Sequence, residues 1–147
     1  MSTSTGTTGG TDRQRVTASG AKVAPIDRDS ARTFLARLGE RGPELIELAL
    51  GAHEPEGTLI GVAAFGGVGV DHASLIVAVA PDRRRLGIAS ELLHALADKA
   101  ARTGLRWFLV SYPASELAAD ALVRTSGLTT ARRVVDGTVT AVLDTTG

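Results

Sequence analysis

The residues best suited to chemistry form the segment Arg84-Arg85-Leu86-Gly87-Ile88-Ala89, between an apolar strand and an amphipathic helix. The strand ends near Val79, and Pro81-Asp82-Arg83 turns the chain toward the helix. The first backbone N–H groups of a helix have no partner inside it, and with the helix dipole they form an anion site. Gly87 and the small Ala89 let a ligand approach, and the run of arginines adds charge. The segment predicts a phosphate site, although an ordinary turn with solvated arginines would contain the same residues.

The pattern Arg-x-x-Gly-x-Ala at 84–89, preceded by Val79-Ala80-Pro81, resembles the acyl-CoA signature of the GCN5-related N-acetyltransferase (GNAT) family. The resemblance implies an acyl-CoA-dependent N-acyltransferase, with acetyl-CoA as acyl donor and an amine of a protein or small molecule as acceptor. It implies that the central strand's main chain binds the pantetheine arm and that amides near 85–90 hold the pyrophosphate. The cofactor-binding residues implied in this way are Val77, Ala78, Val79, Arg84, Arg85, Leu86, Gly87, Ile88, Ala89 and Ser90.

Acyl transfer to an amine requires removal of a proton, because a lysine-type amine has a pKa of about 10.4 and costs about 4.6 kcal/mol to deprotonate at neutral pH. Members of the resembled family often use a glutamate on the central strand and a tyrosine on a following helix. By the family pattern these positions fall at Ser74 and Val123. Val123 cannot donate a proton, and Ser74 is a poor base unless another group activates it. Orientation alone supplies about 7 to 11 kcal/mol in the best-aligned reactions, so we expect transfer mainly by proximity.

Substitute acid and base groups lie at the ends of two predicted strands. Asp71 and His72 stand at the entrance to the central strand, and Ser111 and Tyr112 stand at the end of the next one. Histidine is a suitable acid or base near neutral pH, which makes His72 a candidate. The alternative interpretation is that His72 is a solvated turn residue without a catalytic role. We expect Tyr112 to be structural, with its ring packed and its hydroxyl in water. The predicted catalytic residues are therefore His72 and Ser74.

Composition excludes several classes of function. The chain has 147 residues, which predicts one domain, and its 16 basic and 16 acidic residues leave no net charge to favour nucleic acid or anionic lipid. Cysteine is absent, which excludes a catalytic thiol and a thiolate zinc site. Of the three histidines, His53 and His94 are expected on the solvent side without a role, and the three together lack metal-ligand spacing. We predict no metal site, no nucleic acid partner and no membrane partner.

The first residues have a composition that does not pack. Met1–Thr11 consists almost entirely of Ser, Thr and Gly, so residues 1–20 are predicted to be a disordered tail and residues 21–147 the domain. The tail lacks the basic start and apolar stretch of a secretory signal, and no apolar run in the chain is long enough for a membrane span. We therefore expect a cytoplasmic location.

Hydrophobic spacing predicts alternating strands and helices. Ala73–Val79 is apolar almost throughout, as expected for a central strand covered on both faces. Asp136-Gly137 is a strong hairpin signal. The third helix is predicted to be capped by Ser115, with Leu117, Ala118, Ala121 and Leu122 facing inward. The predicted strands are Lys22–Ile26, Leu45–Ala52, Thr58–Phe65, Ala73–Val79, Trp107–Val110, Arg132–Val135 and Thr138–Val142, and the other helices are Arg28–Leu38 and Gly87–Thr103.

This order is similar to the acetyltransferase fold over residues 22–143. It predicts an α/β (α+β) class, with the GNAT acyl-CoA N-acyltransferase fold, a mixed central sheet of about seven strands and about three main helices. The family commonly places two helices between its first and second strands, and only one is visible here. Because that region forms a wall of the acceptor site in the family, the resemblance implies a shallow or open acceptor groove.

Two other functions are compatible with the same residues. A non-catalytic acyl-CoA-binding regulatory module would keep the phosphate turn and dispense with the acid and base groups. An RNA-binding domain using Arg83–Arg85 is less favoured, because no aromatic stacking platform accompanies the arginines. The exposed edge of the terminal hairpin also suggests a homodimer, since an unpaired strand edge can pair with a second copy.

Overall fold

The computed structural model describes residues 20–147 and the backbone of residues 15 and 16, without the side chains of residues 84–86. Its strands are β1 (Arg15–Val16), β2 (Lys22–Ile26), β3 (Ile46–His53), β4 (Leu59–Gly66), β5 (His72–Val79), β6 (Trp107–Pro113), β7 (Thr129–Val135) and β8 (Thr138–Asp144). Its helices are α1 (Arg28–Arg37), a 3₁₀ helix (Pro81–Leu86), α2 (Ile88–Arg102) and α3 (Leu117–Thr125).

All of these strands form one mixed sheet in the order β1-β2-β3-β4-β5-β6-β8-β7. Only β5 and β6 run parallel to each other, and every other neighbouring pair is antiparallel. Apart from the two-residue β1, the described residues give seven strands and three α-helices. The predicted fold class is therefore confirmed, with β5 at the predicted central position.

Helices cover both faces of the sheet, because the central strands are apolar on both sides. On one face α2 buries Leu92, Leu93 and Leu96 against a core that includes Phe65 and Phe108, whose ring centroids are 5.7 Å apart. On the other face α1 buries Ala31, Phe34 and Leu35 against Val62, Ala64 and Ala78. Leu75 and Val79 of β5 belong to the first core and Ala78 to the second. The prediction that this strand is covered on both faces is thus confirmed.

A single helix connects β2 to β3. Asp27 caps α1 by accepting a hydrogen bond from the backbone N–H of Ser30 at 2.7 Å, and the helix stops before Gly39, whose φ is 71°. Residues 38–45 contain no second helix. The predicted departure from the usual two-helix connection is confirmed.

The terminal hairpin has the predicted turn. Asp136 and Gly137 join β7 to β8 with φ angles of 51° and 77°, the pair of positive values that a type I′ turn requires. The turn matches the right-handed twist of the flanking strands and fixes the register from Val135↔Thr138 onward. Residues of β7 are exposed almost throughout, so this strand forms an open edge of the described sheet.

Of the four residues predicted to face inward on α3, Leu122 is confirmed and the other three are wrong. Leu117 is 77% exposed, Ala118 and Ala121 are also exposed, and the residues that pack on the core are Ala119, Leu122 and Val123. The helix begins after Glu116, and its cap makes no side-chain hydrogen bond, so Ser115 does not cap it. Apolar residues occur all around this short helix, and tertiary contacts rather than periodicity decide which of them are buried.

The predicted tail falls mostly outside the described residues. Within it, Arg15–Val16 pairs antiparallel with β2 through Arg15↔Val23 and Val16↔Lys22. The division at residue 20 stays a prediction. None of the helices in the described part of the chain is both long and apolar enough to cross a bilayer.

Asp144→Asn is expected to lower the melting temperature at neutral pH. Asp144 accepts hydrogen bonds from the Thr146 hydroxyl at 2.6 Å and from Arg106 at 3.2 Å, and with the Thr146 backbone N–H these contacts lower its pKa from 3.8 to about 2. A depressed carboxyl pKa stabilises the folded state above pH 3.8, and that contribution disappears as the pH falls toward 2. Circular dichroism melts should show a difference between wild type and variant at pH 7 that vanishes near pH 2. A difference that is constant with pH would contradict this account.

Candidate functional site

The sheet splits between its two parallel central strands. β5 and β6 pair only through His72↔Trp107, Ala73↔Phe108 and Ser74↔Leu109. Beyond that point, the remainder of β5 stays paired with β4, while the remainder of β6 pairs with β8. Residues 75–79 and 110–113 therefore border a wedge-shaped gap that opens from Ser74 toward the end of β5. Strand edges of this kind present backbone N–H and C=O groups to an extended ligand.

The open end of the gap leads directly into the predicted phosphate turn. β5 ends at Val79, the backbone N–H of Ala80 donates to the carbonyl oxygen of Ile60 at 2.8 Å, and the 3₁₀ helix follows. Gly87 then adopts a left-handed conformation with φ 75° and begins α2. Apart from the chain neighbours of Gly87, no heavy atom of the described residues lies within 4 Å of the position that its Cβ would occupy, so the backbone there is open to a ligand.

The predicted cofactor residues occupy two continuous stretches on either side of the turn. Ala78 and Val79 are buried and Val77 is half-buried, so their side chains belong to the core. After the turn, Ile88 is fully buried and anchors the start of α2, while Ala89 and Ser90 are half-buried. The side chains of Arg84, Arg85 and Leu86 lie outside the described residues.

Arg83 is held by carboxylates. Its Nε donates to Oε2 of Glu54 at 2.8 Å and its Nη2 to Oε1 of Glu54 at 3.1 Å, while Nη1 contacts Oδ2 of Asp82 at 2.9 Å. The hydrogen bond from Arg83 lowers the pKa of Glu54 below its usual value. The expectation that the run of arginines adds charge for a phosphate stays a prediction, and Arg83 is paired with carboxylates in this structure. No pattern in the sequence pairs Glu54 with a residue 29 positions away.

The structure places both predicted catalytic residues at the closed end of the gap. Ser74 is exposed and forms the last paired position with β6, and His72 lies two residues earlier on the same face of β5. His72 is 46% exposed, its Nδ1 lies 3.5 Å from Oδ1 of Asp71, and its ring lies against Gly69. Their catalytic role stays a prediction.

Tyr112 belongs to a hydrogen-bonded network that joins β6, α3 and β7. Its hydroxyl donates to Oδ1 of Asp120 at 2.7 Å, and Arg132 donates to the same carboxylate at 3.0 and 3.1 Å. Burial raises the pKa of Tyr112, and the hydrogen bond from Tyr112 lowers the pKa of Asp120. The ring is packed as predicted, but the expectation that its hydroxyl faces water was wrong.

His94 joins the two helices that follow β5 and β6. Its Nε2 lies 2.9 Å from the carbonyl oxygen of Ser126, just beyond α3, and its Nδ1 lies 2.8 Å from the carbonyl oxygen of Ser90. The side chain is exposed, as predicted. The structural contact to Ser126 was not anticipated, because the spacing along α2 gives no information on what packs beside the helix.

A cavity of about 500 Å³ lies where β2, the start of α1 and β3 meet. Asp27, Asp29 and Glu47 are among its lining residues, and Glu47 sits at a register shift of β3 against β4. Its rim is open to solvent. Within residues 20–147 no group of three or more His, Asp or Glu side chains is arranged to hold a metal ion.

A mixed sheet that splits beside its central strand and continues through a glycine turn into a helix is the acyl-CoA N-acyltransferase architecture. The family model described as "Acetyltransferase (GNAT) family" matches residues 21–127. The chain therefore belongs to the GNAT acetyltransferase family. Acetyl-CoA is the acyl donor of this family.

Solved structures share the fold at low sequence identity. The GNAT domain of S. lividans PAT superposes with a TM-score of 0.70 at 21% identity, covering 89% of this chain and 95% of that one. The acetyltransferase yncA from Salmonella typhimurium, solved with its cofactor acetyl-CoA, gives 0.63 at 17% identity, covering 84% and 92%. The ribosomal-protein-S18-alanine N-acetyltransferase from Escherichia coli gives 0.62 at 21% identity, covering 84% and 93%. No protein with a curated function matches the chain in sequence.

Asp120→Asn is expected to lower the melting temperature by several degrees, because the carboxylate is the shared acceptor for Tyr112 and Arg132. Glu56→Gln is the control, since its exposed carboxylate accepts a long hydrogen bond, 3.4 Å, from the Thr58 hydroxyl, and the change should shift the melting temperature by no more than about 2 °C. Thermal melts at pH 7 make the comparison. Equal melting temperatures for the two variants would show that the network does not hold α3 in place.

Proposed function

We propose that the protein is an acyl-CoA-dependent N-acyltransferase that transfers an acetyl group from acetyl-CoA to an amine. The observation that carries the proposal is the continuity between the gap beside β5 and the open backbone at Gly87. A thioester carrier with an extended arm and a charged diphosphate needs a strand edge and an anion site in that order. Residues 75–90 supply both along one continuous stretch of chain.

Main-chain groups would carry most of the cofactor contacts. The backbone of Val77, Ala78 and Val79 would bind the pantetheine arm, which is compatible with the burial of their side chains. The amides between Arg85 and Ser90 would hold the pyrophosphate, and each helix-end charge interaction contributes about 0.3 to 1 kcal/mol when exposed. Arg84 and Arg85 are proposed to add charge, and Arg83 is not.

Acyl transfer itself requires an unprotonated amine close to the thioester. Ser74 stands at the point where the gap closes, and His72 lies about 6.6 Å from it along the same face of the strand. We assign His72 as the candidate general base and Ser74 as a candidate hydrogen-bonding partner of the reacting groups. Since Val123, at the position of the family's usual acid, is buried in the core, the leaving thiolate would take its proton from solvent. Proximity would supply most of the remaining acceleration.

The acceptor is proposed to be an amine presented on a large or flexible molecule, a protein side chain or a polyamine-like small molecule. One helix stands where the family commonly has two, and the nearby cavity is open. Its lining contains three acidic residues, Asp27, Asp29 and Glu47, and one basic residue, Arg28. Acidic groups at the border favour a cationic amine through Coulomb attraction. The E. coli relative acts on the alanine amine of a ribosomal protein, which is an acceptor of this general kind.

A second candidate is a non-catalytic module that binds acyl-CoA and regulates another process. The observation that favours it is Val123, buried at 4% exposure where the family's usual acid would stand. Incubation with acetyl-CoA and a panel of amines, polyamines and lysine peptides distinguishes the two, because only the enzyme releases CoA above background.

A homodimer formed through β7 and a cytoplasmic location stay predictions.

Gly87→Glu is expected to weaken CoA binding at least about tenfold, because a side chain at the turn blocks the anion site and adds a like charge. Gly104→Glu is the matched control. Gly104 also has a positive φ, 92°, and open surroundings, but it lies beyond the opposite end of α2. Isothermal titration with CoA should give wild-type affinity for the control. Equal affinity in both variants would refute the proposed pyrophosphate site.

His72→Ala is expected to reduce kcat about 100-fold if the imidazole acts as general base, with little change in the KM for acetyl-CoA. His53→Ala provides the control, since His53 ends β3 outside the gap. Steady-state release of CoA measures both variants, and only His72→Ala should lose activity. Unchanged kcat would leave proximity as the only source of rate.

A further inference from the structure

The loop between β3 and β4 contacts the predicted phosphate turn through one ion pair. Glu54, directly after β3, meets Arg83 in the middle of the 3₁₀ helix through two parallel hydrogen bonds, at 2.8 and 3.1 Å. The side chains are only 22% and 33% exposed. A planar guanidinium bound by both oxygens of a carboxylate has a fixed orientation, unlike a single contact.

The Glu54 side of this contact is rigid. The backbone N–H of Glu54 donates to the carbonyl oxygen of Thr58 at 2.9 Å, and its own carbonyl accepts from the N–H of Gly57 at 2.8 Å. These two bonds close the loop at the end of a strand pair that lies within the sheet. The carboxylate is therefore attached to a loop that two backbone hydrogen bonds hold in place.

The turn itself has weaker support. It is a six-residue 3₁₀ helix, whose hydrogen-bond geometry is poorer than that of an α-helix, and it continues into a left-handed glycine with open surroundings. Besides the bonds within the helices, the backbone bonds at its two ends include those from Ala80 to Ile60, from Arg83 to the carbonyl of Ala80 and from Glu91 to the carbonyl of Gly87. The Arg83 side chain is the described link that runs from the middle of the turn to another part of the protein.

Arg83 is also poorly suited to bind an anion directly. Glu54 and Asp82 both contact its guanidinium, so two negative groups surround one positive group. A diphosphate approaching Arg83 would meet those carboxylates and would have to displace Glu54 from two hydrogen bonds. Arg83 thus holds the turn in position and does not supply positive charge to a ligand.

We propose that Glu54, acting through Arg83, is a positioning residue that fixes the turn at residues 81–87 so that the amides opening α2 face the cofactor. The inference rests on the proposed function and adds to it a residue far from the signature segment. Because neither side chain touches the reacting atoms, the pair should affect cofactor binding and leave the rate of the bound complex unchanged.

The test is Glu54→Gln, which keeps the shape of the side chain and removes its charge. We expect the Kd for CoA and the KM for acetyl-CoA to rise about fivefold, with kcat within about twofold of wild type. The double variant Glu54→Gln/Arg83→Gln should bind no more weakly than Arg83→Gln alone, because the two residues act as a unit. Asp82→Asn is the matched control, since it removes the more exposed partner of Arg83, and it should bind CoA like wild type.

Hydrogen exchange of the unliganded protein gives a second readout. The amides of Gly87, Ile88 and Ala89 should exchange faster in Glu54→Gln than in wild type and Asp82→Asn, while those in the centre of α2 should be unchanged. If Glu54→Gln does not fold, Glu54→Asp, which can keep one of the two hydrogen bonds, is measured in the same way. Failure of both variants to fold would mean that the pair supports the whole domain, and the positioning role would be rejected.

The possible results separate this inference from the proposed function. If wild type does not bind CoA, the acyltransferase proposal fails, and hydrogen exchange still reports whether Glu54 orders the turn. If wild type binds and Glu54→Gln binds equally well, the positioning role is overturned. Tighter binding by Glu54→Gln would also overturn it, because the released Arg83 would then be acting as a phosphate ligand.

Discussion

The end of parallel pairing at Ser74↔Leu109 is the constraint on which the rest of this structure depends. Two parallel strands in the middle of a sheet normally continue side by side, but here the pairing between β5 and β6 ends after three positions, while each strand stays paired with its antiparallel neighbour on the other side. The sheet thereby keeps its backbone hydrogen bonds on the outer sides of β5 and β6 and leaves a gap in the middle. The gap is formed without an additional domain or a long loop.

The other parts of the site follow from where that gap leads. β5 runs along the gap and passes without interruption into the turn at Gly87, so one stretch of chain presents both a strand edge and a helix start. Glu54 of the β3–β4 loop contacts Arg83 in the turn. His94 of α2 contacts Ser126, just beyond α3. Each contact links elements distant in sequence, and each involves an element beside the gap.

The sequence predicted the elements more reliably than the contacts between them. Hydrophobic spacing and the Asp136-Gly137 turn gave every strand of five residues or more to within a few residues, because those signals are local. Three of the four residues predicted to face inward on α3 were wrong, since Leu117 and Ala121 are as apolar as the residues that pack. Glu54, Asp120 and His94 were missed as structural partners, because each meets a group that is distant in sequence or on another element. The position of the glycine turn before α2 could be predicted because its conformation depends on residues that are adjacent in sequence.

The closed end of the gap also contains the protein's sole tryptophan. Trp107 pairs with His72, and the guanidinium of Arg106 lies 4.8 Å from the centre of its ring. Indole emission responds to nearby charge and to water, so the fluorescence of Trp107 reports on the place where β5 and β6 pair. Widening or narrowing of the wedge would change fluorescence without any label.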